Sequence, residues 1–304
     1  MEAFRFILLL LGAMAGLCGC QQQTDNRPHV VVCGDDQVLI IQPGLSDQEK
    51  SRVVWQWKVE EAKMQIPEKY VRLMIPLDEC KPVDNASKLL LTSSGGGALL
   101  LDKTTKECLF YADVPMAHSA ELLPEGKIAI ALSTHPQGNS LEVYDINRPD
   151  QMLFRDSLYS GHGVVWMPQE KRLYALGFNE LRAYEVHALP GDSVSLSLDK
   201  AWTLPSDNGH ELSIINDHEL LVSTYEHVYR FDTQSGSFAP FAPLADVKDV
   251  KSANYCETTG LLIYTKAETS WWTNHVYIQQ KDETSVITID SIHVYKARVY
   301  YGPK

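Results

Sequence analysis

The segment His118-Ser119-Ala120-Glu121-Leu122-Leu123-Pro124-Glu125-Gly126-Lys127-Ile128-Ala129-Ile130-Ala131 is one copy of a pattern that returns along the chain. Each copy opens on a lysine or histidine, runs through a short apolar strand and a turn, and enters a second apolar strand. The copies are spaced 37 to 48 residues apart, and they open at Lys81, His118, His162, His210, Lys251 and Lys296. Short strands with this period, separated by Gly, Pro, Asn and Asp, are typical of a β-propeller.

A second feature of the sequence repeats in phase with these opening residues. The third apolar strand of each copy ends near an acidic or amide residue, and these residues are Gln42, Asp102, Asp145, Glu185, Asp232 and Gln279. A β-sandwich would also give short strands at regular spacing, but its strands do not usually carry the same polar residue at one phase. Two registers in phase therefore predict an all-β, six-bladed β-propeller.

The two ends of the chain predict how the ring closes. The first folded stretch supplies three strands, between residues 29 and 57, without an inner strand before them. The segment Tyr295–Tyr300 resembles Val250–Tyr255, which opens the preceding copy. We therefore expect N- and C-terminal strands to pair within one blade, which leaves no long unpaired edge. Residues 29–304 would then form a single domain, with a short helical insertion between Lys58 and Pro76.

The composition agrees with a packed domain and excludes one class of partner. The 304 residues are 44% hydrophobic, which is enough for a core. The formal net charge is −12 and the isoelectric point is near 5.3. A protein that wraps the nucleic-acid backbone needs a basic surface, so we expect no nucleic-acid partner. We expect a monomer.

The N-terminus has the features of a targeting segment. Arg5 precedes a short apolar run, and Leu17-Cys18-Gly19-Cys20 follows. This tetrapeptide resembles a bacterial lipobox, which predicts a signal peptide over residues 1–20, lipidation of Cys20 and a polar tether over residues 21–28. The chain would be anchored to the outer membrane of the cell envelope, with the periplasmic and surface orientations both open. The alternative is an ordinary signal peptide or a small membrane anchor.

Four cysteines remain beyond that segment: Cys33, Cys80, Cys108 and Cys256. None forms a Cys-x-x-Cys motif, so no zinc or redox motif is present. Their apolar strand contexts predict buried free thiols, with Cys80 and Cys108 the first pair to examine for a disulfide.

The repeat also predicts a site. The first strand of every propeller blade lines the central axis, so the residues that open these strands should converge at one mouth of the channel. We expect a ring made of Lys81, His118, His162, His210, Lys251 and Lys296, with Arg298 beside it. Such a ring would attract an anionic glycan or a similar small anionic ligand. The alternative is that polar channel residues only hold ordered water.

Three further hypotheses depend on this fold. His118, His162 and His210 lie in successive blades and could hold a divalent metal, although the neighbouring lysines oppose a cation. Glu121 and Glu211 follow two of these histidines and could serve as acid or base. Trp271 and Trp272 lie in a loop and could stack on a sugar face. We rank metal binding below anion binding.

The residues 118–124, 161–166, 209–212 and 250–252 resemble a family of Bacteroides-type lipoprotein β-propellers of unknown function. This resemblance covers nearly the whole chain after the signal segment. It implies the propeller fold and a polysaccharide-using bacterium, but no activity. More distantly, histidines at a propeller mouth resemble those of oligogalacturonate lyase, where such a cluster binds a metal and an acidic sugar. That likeness is one of fold, the lyase has seven blades, and its ligand residues do not transfer.

The leading hypothesis is thus a cell-envelope lipoprotein that binds an anionic carbohydrate at the channel mouth. The first alternative is a metal-assisted polysaccharide lyase or hydrolase that uses the three histidines. The second is a scaffold protein of an outer-membrane complex.

Overall fold

The structure is a computed structural model, and it describes residues 28–44, 50–191, 193–281 and 283–301. Within these residues the strands form six antiparallel sheets of four strands each, which confirms the six-bladed β-propeller. Cys20, the signal segment and residues 21–27 of the tether lie outside the described residues. No helix in the described part of the chain has the length and apolar character needed to cross a bilayer.

The blades follow one another around the ring, and in each blade the first strand named is the innermost. Blade 1 contains β24 (Ala297–Tyr300), β1 (His29–Gly34), β2 (Gln37–Gln42) and β3 (Arg52–Lys58). Blade 2 contains β4 (Leu77–Val83), β5 (Lys88–Ser93), β6 (Gly97–Asp102) and β7 (Cys108–Asp113). Blade 3 contains β8 (Ala117–Leu123), β9 (Lys127–Leu132), β10 (Ser140–Asp145) and β11 (Arg148–Ser157).

The remaining blades keep the same order. Blade 4 contains β12 (Gly163–Met167), β13 (Arg172–Leu176), β14 (Glu180–Leu189) and β15 (Ser193–Thr203). Blade 5 contains β16 (Glu211–Asn216), β17 (Glu219–Ser223), β18 (Val228–Asp232) and β19 (Ser237–Pro240). Blade 6 contains β20 (Val250–Cys256), β21 (Leu261–Lys266), β22 (His275–Gln280) and β23 (Glu283–Thr288).

The predicted closure is confirmed. The last strand of the chain, β24, is the inner strand of blade 1 and pairs antiparallel with β1. Val30 lies opposite Val299, and Val32 lies opposite Ala297. The two ends of the chain therefore share one sheet, so the ring of blades has no gap at which strand edges would stay unpaired.

The core lies between the blades. The second strands are continuous apolar runs, such as Leu89–Leu91 and Ile128–Leu132, and these residues are fully buried. Both faces of each sheet pack on a neighbouring blade, which explains why these strands do not alternate between apolar and polar residues. The acidic residue at the end of a third strand pairs with the start of the second strand. In blade 3, the Nζ atom of Lys127 lies 2.8 Å from Oδ2 of Asp145.

The predicted insertion between blades 1 and 2 is helical. A 3-10 helix covers Val59–Ala62, and α1 (Glu68–Leu73) begins directly after Pro67. The turn at Gly95–Gly97 lies against the end of this insertion. A Cβ atom at Gly95 would lie 2.2 Å from the carbonyl oxygen of Ile75, so the close approach of two backbones requires glycine there.

The four described cysteines are free thiols. Cys33 and Cys80 are buried, as expected. The expectation of burial is wrong for Cys108 and Cys256, which are partly exposed because Cys108 lies on an outer strand and Cys256 at the end of β20.

Candidate functional site

The inner strands place one equivalent residue of each blade at the same level of the channel. Each of these residues comes one position before the residue that pairs with the end of the second strand. His118, for example, precedes Ser119, which lies opposite Ala131. His162 precedes Gly163, which lies opposite Leu176. The set is Asp78, His118, His162, His210, Lys251 and Lys296. We call the end of the channel at this level the mouth.

The placement of Lys81 in this ring is wrong. Glu79 pairs with Thr92, so Asp78 takes the ring position of blade 2 and Lys81 lies three residues farther along β4. Its Nζ atom is 2.7 Å from the carbonyl oxygen of Val164 and 3.2 Å from Oε2 of Glu121. The sequence pattern selected Lys81 because it is a lysine near the start of an inner strand. The level of a residue in the channel is set instead by the pairing of its strand. Lys81 and Glu121 thus form an ion pair with each other inside the channel.

Next to this level and deeper in the channel lies a group of four charged side chains, Glu79, Glu211, Lys296 and Arg298, which we call the charged plug. Lys296 has its backbone at the ring level, and its ammonium reaches the two carboxylates. The guanidinium of Arg298 bridges the two glutamates: Nε is 2.9 Å from Oε1 of Glu79, and Nη1 is 2.5 Å from Oε1 of Glu211. The Nζ atom of Lys296 lies 3.5 Å and 3.4 Å from the same two carboxylates. Blade 1 is thereby tied to blades 2 and 5 across the axis.

The charged groups of the plug stabilise one another in their ionised forms. Burial alone would raise the pKa of Glu79, but the charges of Arg298 and Lys296 outweigh it and lower that pKa to about 2. Burial disfavours the charge on Arg298, yet Glu211 and Glu79 raise its pKa well above the ordinary value. The expected open ring of positive charge is therefore wrong, because two carboxylates that the pattern did not include neutralise Lys296 and Arg298.

The mouth itself is lined by imidazoles. The rings of His118 and His162 have centroids 4.5 Å apart, and those of His162 and His210 are 4.9 Å apart, both edge to face. We call these three side chains the histidine row. Tyr295 closes one end of the row, with its ring 6.0 Å from that of His118. The row brings together side chains from blades 3, 4 and 5, as the sequence predicted.

Backbone carbonyls fix two of these rings. The Nδ1 atom of His118 lies 3.0 Å from the carbonyl oxygen of Met116, and that of His162 lies 2.8 Å from the carbonyl oxygen of Ser160. A carbonyl only accepts, so each Nδ1 carries the proton and each Nε2 carries a lone pair. Neither Nε2 atom makes a hydrogen bond with the residues that the structure describes.

His210 has the same tautomer, but a different nitrogen of its ring is engaged. The ammonium of Lys251 donates to its Nε2 atom at 3.0 Å, which leaves the proton on Nδ1. This Nδ1 atom is buried and has no hydrogen-bond partner among the described residues. The same ammonium lies 2.5 Å from Oδ1 of Asp249, the residue that precedes β20. The histidine row thus offers two acceptors and one donor, and Lys251 lies at the other nitrogen of the donor ring.

The row is uncharged. Burial lowers the pKa of His118 and lowers the pKa of His162 well below its ordinary value, with the neighbouring imidazoles adding to the effect at His162. Burial also lowers the pKa of His210, and the charge of Lys251 lowers it further. Burial lowers the pKa of Lys251, against the opposing effect of Asp249. Burial and the nearby positive groups together keep the imidazoles neutral.

The geometry gives the metal hypothesis no support. Among the described residues, no group of three His, Cys, Asp or Glu side chains is arranged to hold a metal ion. With respect to the residues described, only His118 and His162 keep a free Nε2 lone pair, since the Nε2 atom of His210 accepts from the ammonium of Lys251. Metal binding stays a prediction from sequence.

The other candidates are separated from the row. Glu211 belongs to the charged plug, so both of its oxygens are engaged by Arg298. Trp272 packs on His293 with ring centroids 3.9 Å apart, whereas Trp271 is exposed. Sequence reasoning missed Asp78, Glu79 and Asp249. The acidic pair Asp78-Glu79 inside an apolar inner strand was the available signal for two of them, since buried carboxylates need partners.

Comparisons with known proteins bear on family and fold. Residues 26–302 match a family described as "Family of unknown function (DUF6528)". A protein of unknown function from Bacteroides caccae, solved at 1.35 Å resolution, has a TM-score of 0.59 and 11% identity, over 90% of this chain and 98% of its own. Among curated proteins, none matches the chain.

Two further structures share the fold at low identity. A chain of the Mitotic Checkpoint Complex has a TM-score of 0.55 and 9% identity, over 88% of this chain and 78% of its own. Kuenenia stuttgartiensis hydrazine synthase has a TM-score of 0.51 and 14% identity, over 72% of this chain and 68% of its own. At such identities these likenesses concern the fold alone.

Proposed function

Since the chain belongs to DUF6528, a family of unknown function, we propose from the site itself that the protein is a binding module for a small sugar acid. The ligand would carry hydroxyl groups and one carboxylate, and it would contact the histidine row and Lys251 at the mouth of the channel. The observation that carries this proposal is the hydrogen-bonding capacity that the row keeps: two lone pairs and one N–H that the described residues do not use.

The chemistry of the row selects among anions. Sugar hydroxyls can donate to the Nε2 atoms of His118 and His162, since a hydroxyl both donates and accepts. A carboxylate can accept from the ammonium of Lys251, and a charge-assisted bond of this kind is stronger than a neutral one. Sulfate only accepts, so it would face two lone pairs without a donor. The row therefore favours a hydroxylated monoanion.

The proposed ligand also couples to protons. A bound carboxylate would raise the pKa of the Lys251 ammonium, which burial lowers, because it favours the charged form. Affinity for the acid therefore falls as the pH rises into the range in which this lysine loses its proton. A neutral sugar of the same shape has no such coupling.

Calorimetric titration of the purified protein with D-galacturonate, D-galactose and sulfate tests this proposal. We expect galacturonate to bind most tightly, and we expect Lys251→Ala to weaken it about tenfold, or about 1.4 kcal/mol. Lys248→Ala is the matched control, because Lys248 is an exposed lysine on the loop that leads into β20 and pairs with Glu226. Equal effects of the two substitutions, or no binding of any sugar acid, would contradict the proposal.

We also propose that Cys20 anchors this binding module in the cell envelope, at the outer membrane. Cys20 follows the lipobox-like Leu17-Cys18-Gly19. Metabolic labelling with a radioactive fatty acid should mark the protein and should fail for Cys20→Ala. The lyase and scaffold alternatives stay predictions, since neither has a specific observation in its favour.

A further inference from the structure

Aromatic side chains surround the mouth on the loops of the same face. Inner strands begin at the mouth, so the loops before each inner strand and the turns between second and third strands all lie on this face. Four of these connections carry an aromatic residue that is exposed or half-buried: Tyr159, Phe178, Tyr225 and Trp271. Tyr159 and Trp271 are each 58% exposed, and Tyr225 is 46% exposed.

The first two aromatic residues are attached directly to the histidine row. The ring of Phe178 lies 5.6 Å from that of Tyr159, and its backbone N–H donates to the carbonyl of Tyr159 at 2.9 Å. The carbonyl of Phe178 accepts a 2.9 Å hydrogen bond from Gly209, the residue before His210. On the other side, Tyr159 precedes Ser160, whose carbonyl fixes His162. This aromatic pair therefore flanks His162 and His210.

Tyr225 and Trp271 are attached to the lysine side of the mouth. The carbonyl of Tyr225 accepts from the N–H of Asp249 at 2.7 Å, and the N–H of Ala267 donates to the carbonyl of Asp249 at 3.0 Å. Asp249 is the carboxylate that holds Lys251. Ala267 starts the loop that carries Trp271, and this loop is pinned at Thr273, which pairs with Val294. Both aromatic residues are thus one connection away from Lys251.

Exposure of these rings is informative because, among the described aromatic residues outside this group, only Tyr301 is comparably exposed. Trp57, Phe110, Tyr184 and Phe231 lie between blades, with almost no surface in solvent. Large apolar side chains that stay exposed next to a polar pocket mark a contact surface. Sugar rings present C–H groups on their faces and hydroxyls at their edges, which suits a flat aromatic face beside hydrogen-bonding groups.

We infer that Tyr159, Phe178, Tyr225 and Trp271 form a stacking rim, and that the ligand is an acidic oligosaccharide rather than a free sugar acid. The inference rests on the proposed function, since the acidic unit would bind at the histidine row. The sugar units on either side of it would stack on the aromatic pair of blades 3 and 4 and on the aromatic residues of blades 5 and 6. Affinity then depends on chain length, with the gain supplied by the rim.

The test compares galacturonate with its linear pentamer by calorimetry. We expect the pentamer to bind at least about tenfold more tightly than the monomer. Trp271→Ala and Tyr159→Ala should each remove much of that gain and leave the monomer affinity unchanged. Tyr301→Ala is the matched control, because Tyr301 is also 58% exposed but follows β24 at the opposite end of the channel. Thermal unfolding of each variant checks that the fold is intact.

The outcomes separate the two proposals. Monomer binding without a gain for the pentamer overturns the rim and leaves the sugar-acid site in place. A pentamer gain that Trp271→Ala and Tyr301→Ala reduce equally also overturns the rim. If neither monomer nor pentamer binds, both proposals fail.

Discussion

The charged plug and the histidine row lie in the same channel on the same inner strands, yet they differ in what remains for a ligand. In the plug, the guanidinium of Arg298 and the ammonium of Lys296 are shared between two fully buried carboxylates. In the row, three neutral imidazoles keep nitrogen atoms that the described residues do not engage. Charge therefore does not locate the candidate site in this protein. Unused hydrogen-bonding capacity does, because a site already satisfied by its own residues has little to offer a ligand.

The largest effect expected from this comparison is on stability. Arg298→Leu leaves Glu79 and Glu211 buried with Lys296 as their shared partner, so we expect a loss of about 3–5 kcal/mol in the free energy of unfolding. Arg72→Leu removes an exposed ion pair with Glu68, and we expect little change in the free energy of unfolding because solvent screens this pair. Urea denaturation measures both. Similar losses for the two variants would mean that the plug does not hold the ring together.

The pH dependence of stability also distinguishes the histidine row from the charged plug. Burial lowers the pKa of His162 in the folded state, so the unfolded chain takes up a proton near pH 6.5 that the folded chain does not. Stability is thus present above that pH and is lost as the pH falls below it. His162→Gln should reduce the slope between about pH 6 and 5 by at most about 1.4 kcal/mol per pH unit, the limit for one proton. The exposed His187→Gln serves as the control, and an unchanged slope for His162→Gln would exclude a neutral row.

The plug responds at lower pH. The pKa of Glu79 is about 2 in the folded state, which lies below that of an unfolded glutamate. Its contribution to stability is therefore present above about pH 4.3 and is lost as the pH falls towards about 2. Acid unfolding of Glu79→Gln, followed by circular dichroism, should show a smaller loss over this range than the parent protein shows.

A smaller effect sharpens the description of the mouth. Asp249 competes with any ligand carboxylate for Lys251. Asp249→Asn removes that negative charge, and asparagine tolerates the positive φ of 55° at this position. We expect galacturonate affinity to rise about three- to tenfold. Glu226→Gln, which frees the exposed Lys248 in the same way, should leave affinity unchanged; a rise in both variants would indicate a general charge effect.

The smallest expected effect is at Lys81. Its ammonium is held by Glu121 and by the carbonyl of Val164, below the level of the row. Lys81→Met should lower stability by about 1 kcal/mol and change galacturonate affinity by less than about twofold. Titration of this variant beside Lys251→Ala tests whether strand register or residue type decides which lysine binds. A large loss of affinity would move the site deeper into the channel.

The fold is accessible from sequence because its cause is local. Each blade repeats the same apolar strands and turns, so the period of the opening residues and the phase of the third strands predict the blades and their closure. The level of a residue in the channel is less accessible. Lys81 resembles the other opening residues in its surroundings, and only the pairing of Glu79 with Thr92 shows that Asp78 takes that level.

The partners within the channel could not be predicted for a different reason. Glu79 and Arg298 lie 219 positions apart, and no pattern of spacing relates them. His118, His162 and His210 are identifiable because they occupy one phase of the repeat, whereas the nitrogen that stays free on each ring depends on which carbonyl or ammonium the ring meets. The sequence marks Trp271 as a loop aromatic, but its exposure follows from how that loop is pinned to Val294.

The position of β24 has a consequence for how the molecule assembles. This strand follows every other strand in the chain; it carries Arg298 and directly follows Lys296, the two cations of the plug. The plug contacts thus join residues up to 219 positions apart and are buried, and contacts of such long range form late in folding. Until the final strand docks, the carboxylates of Glu79 and Glu211 stay hydrated and the axis stays wet. Sealing of the sheet edge and drying of the channel are then a single cooperative event.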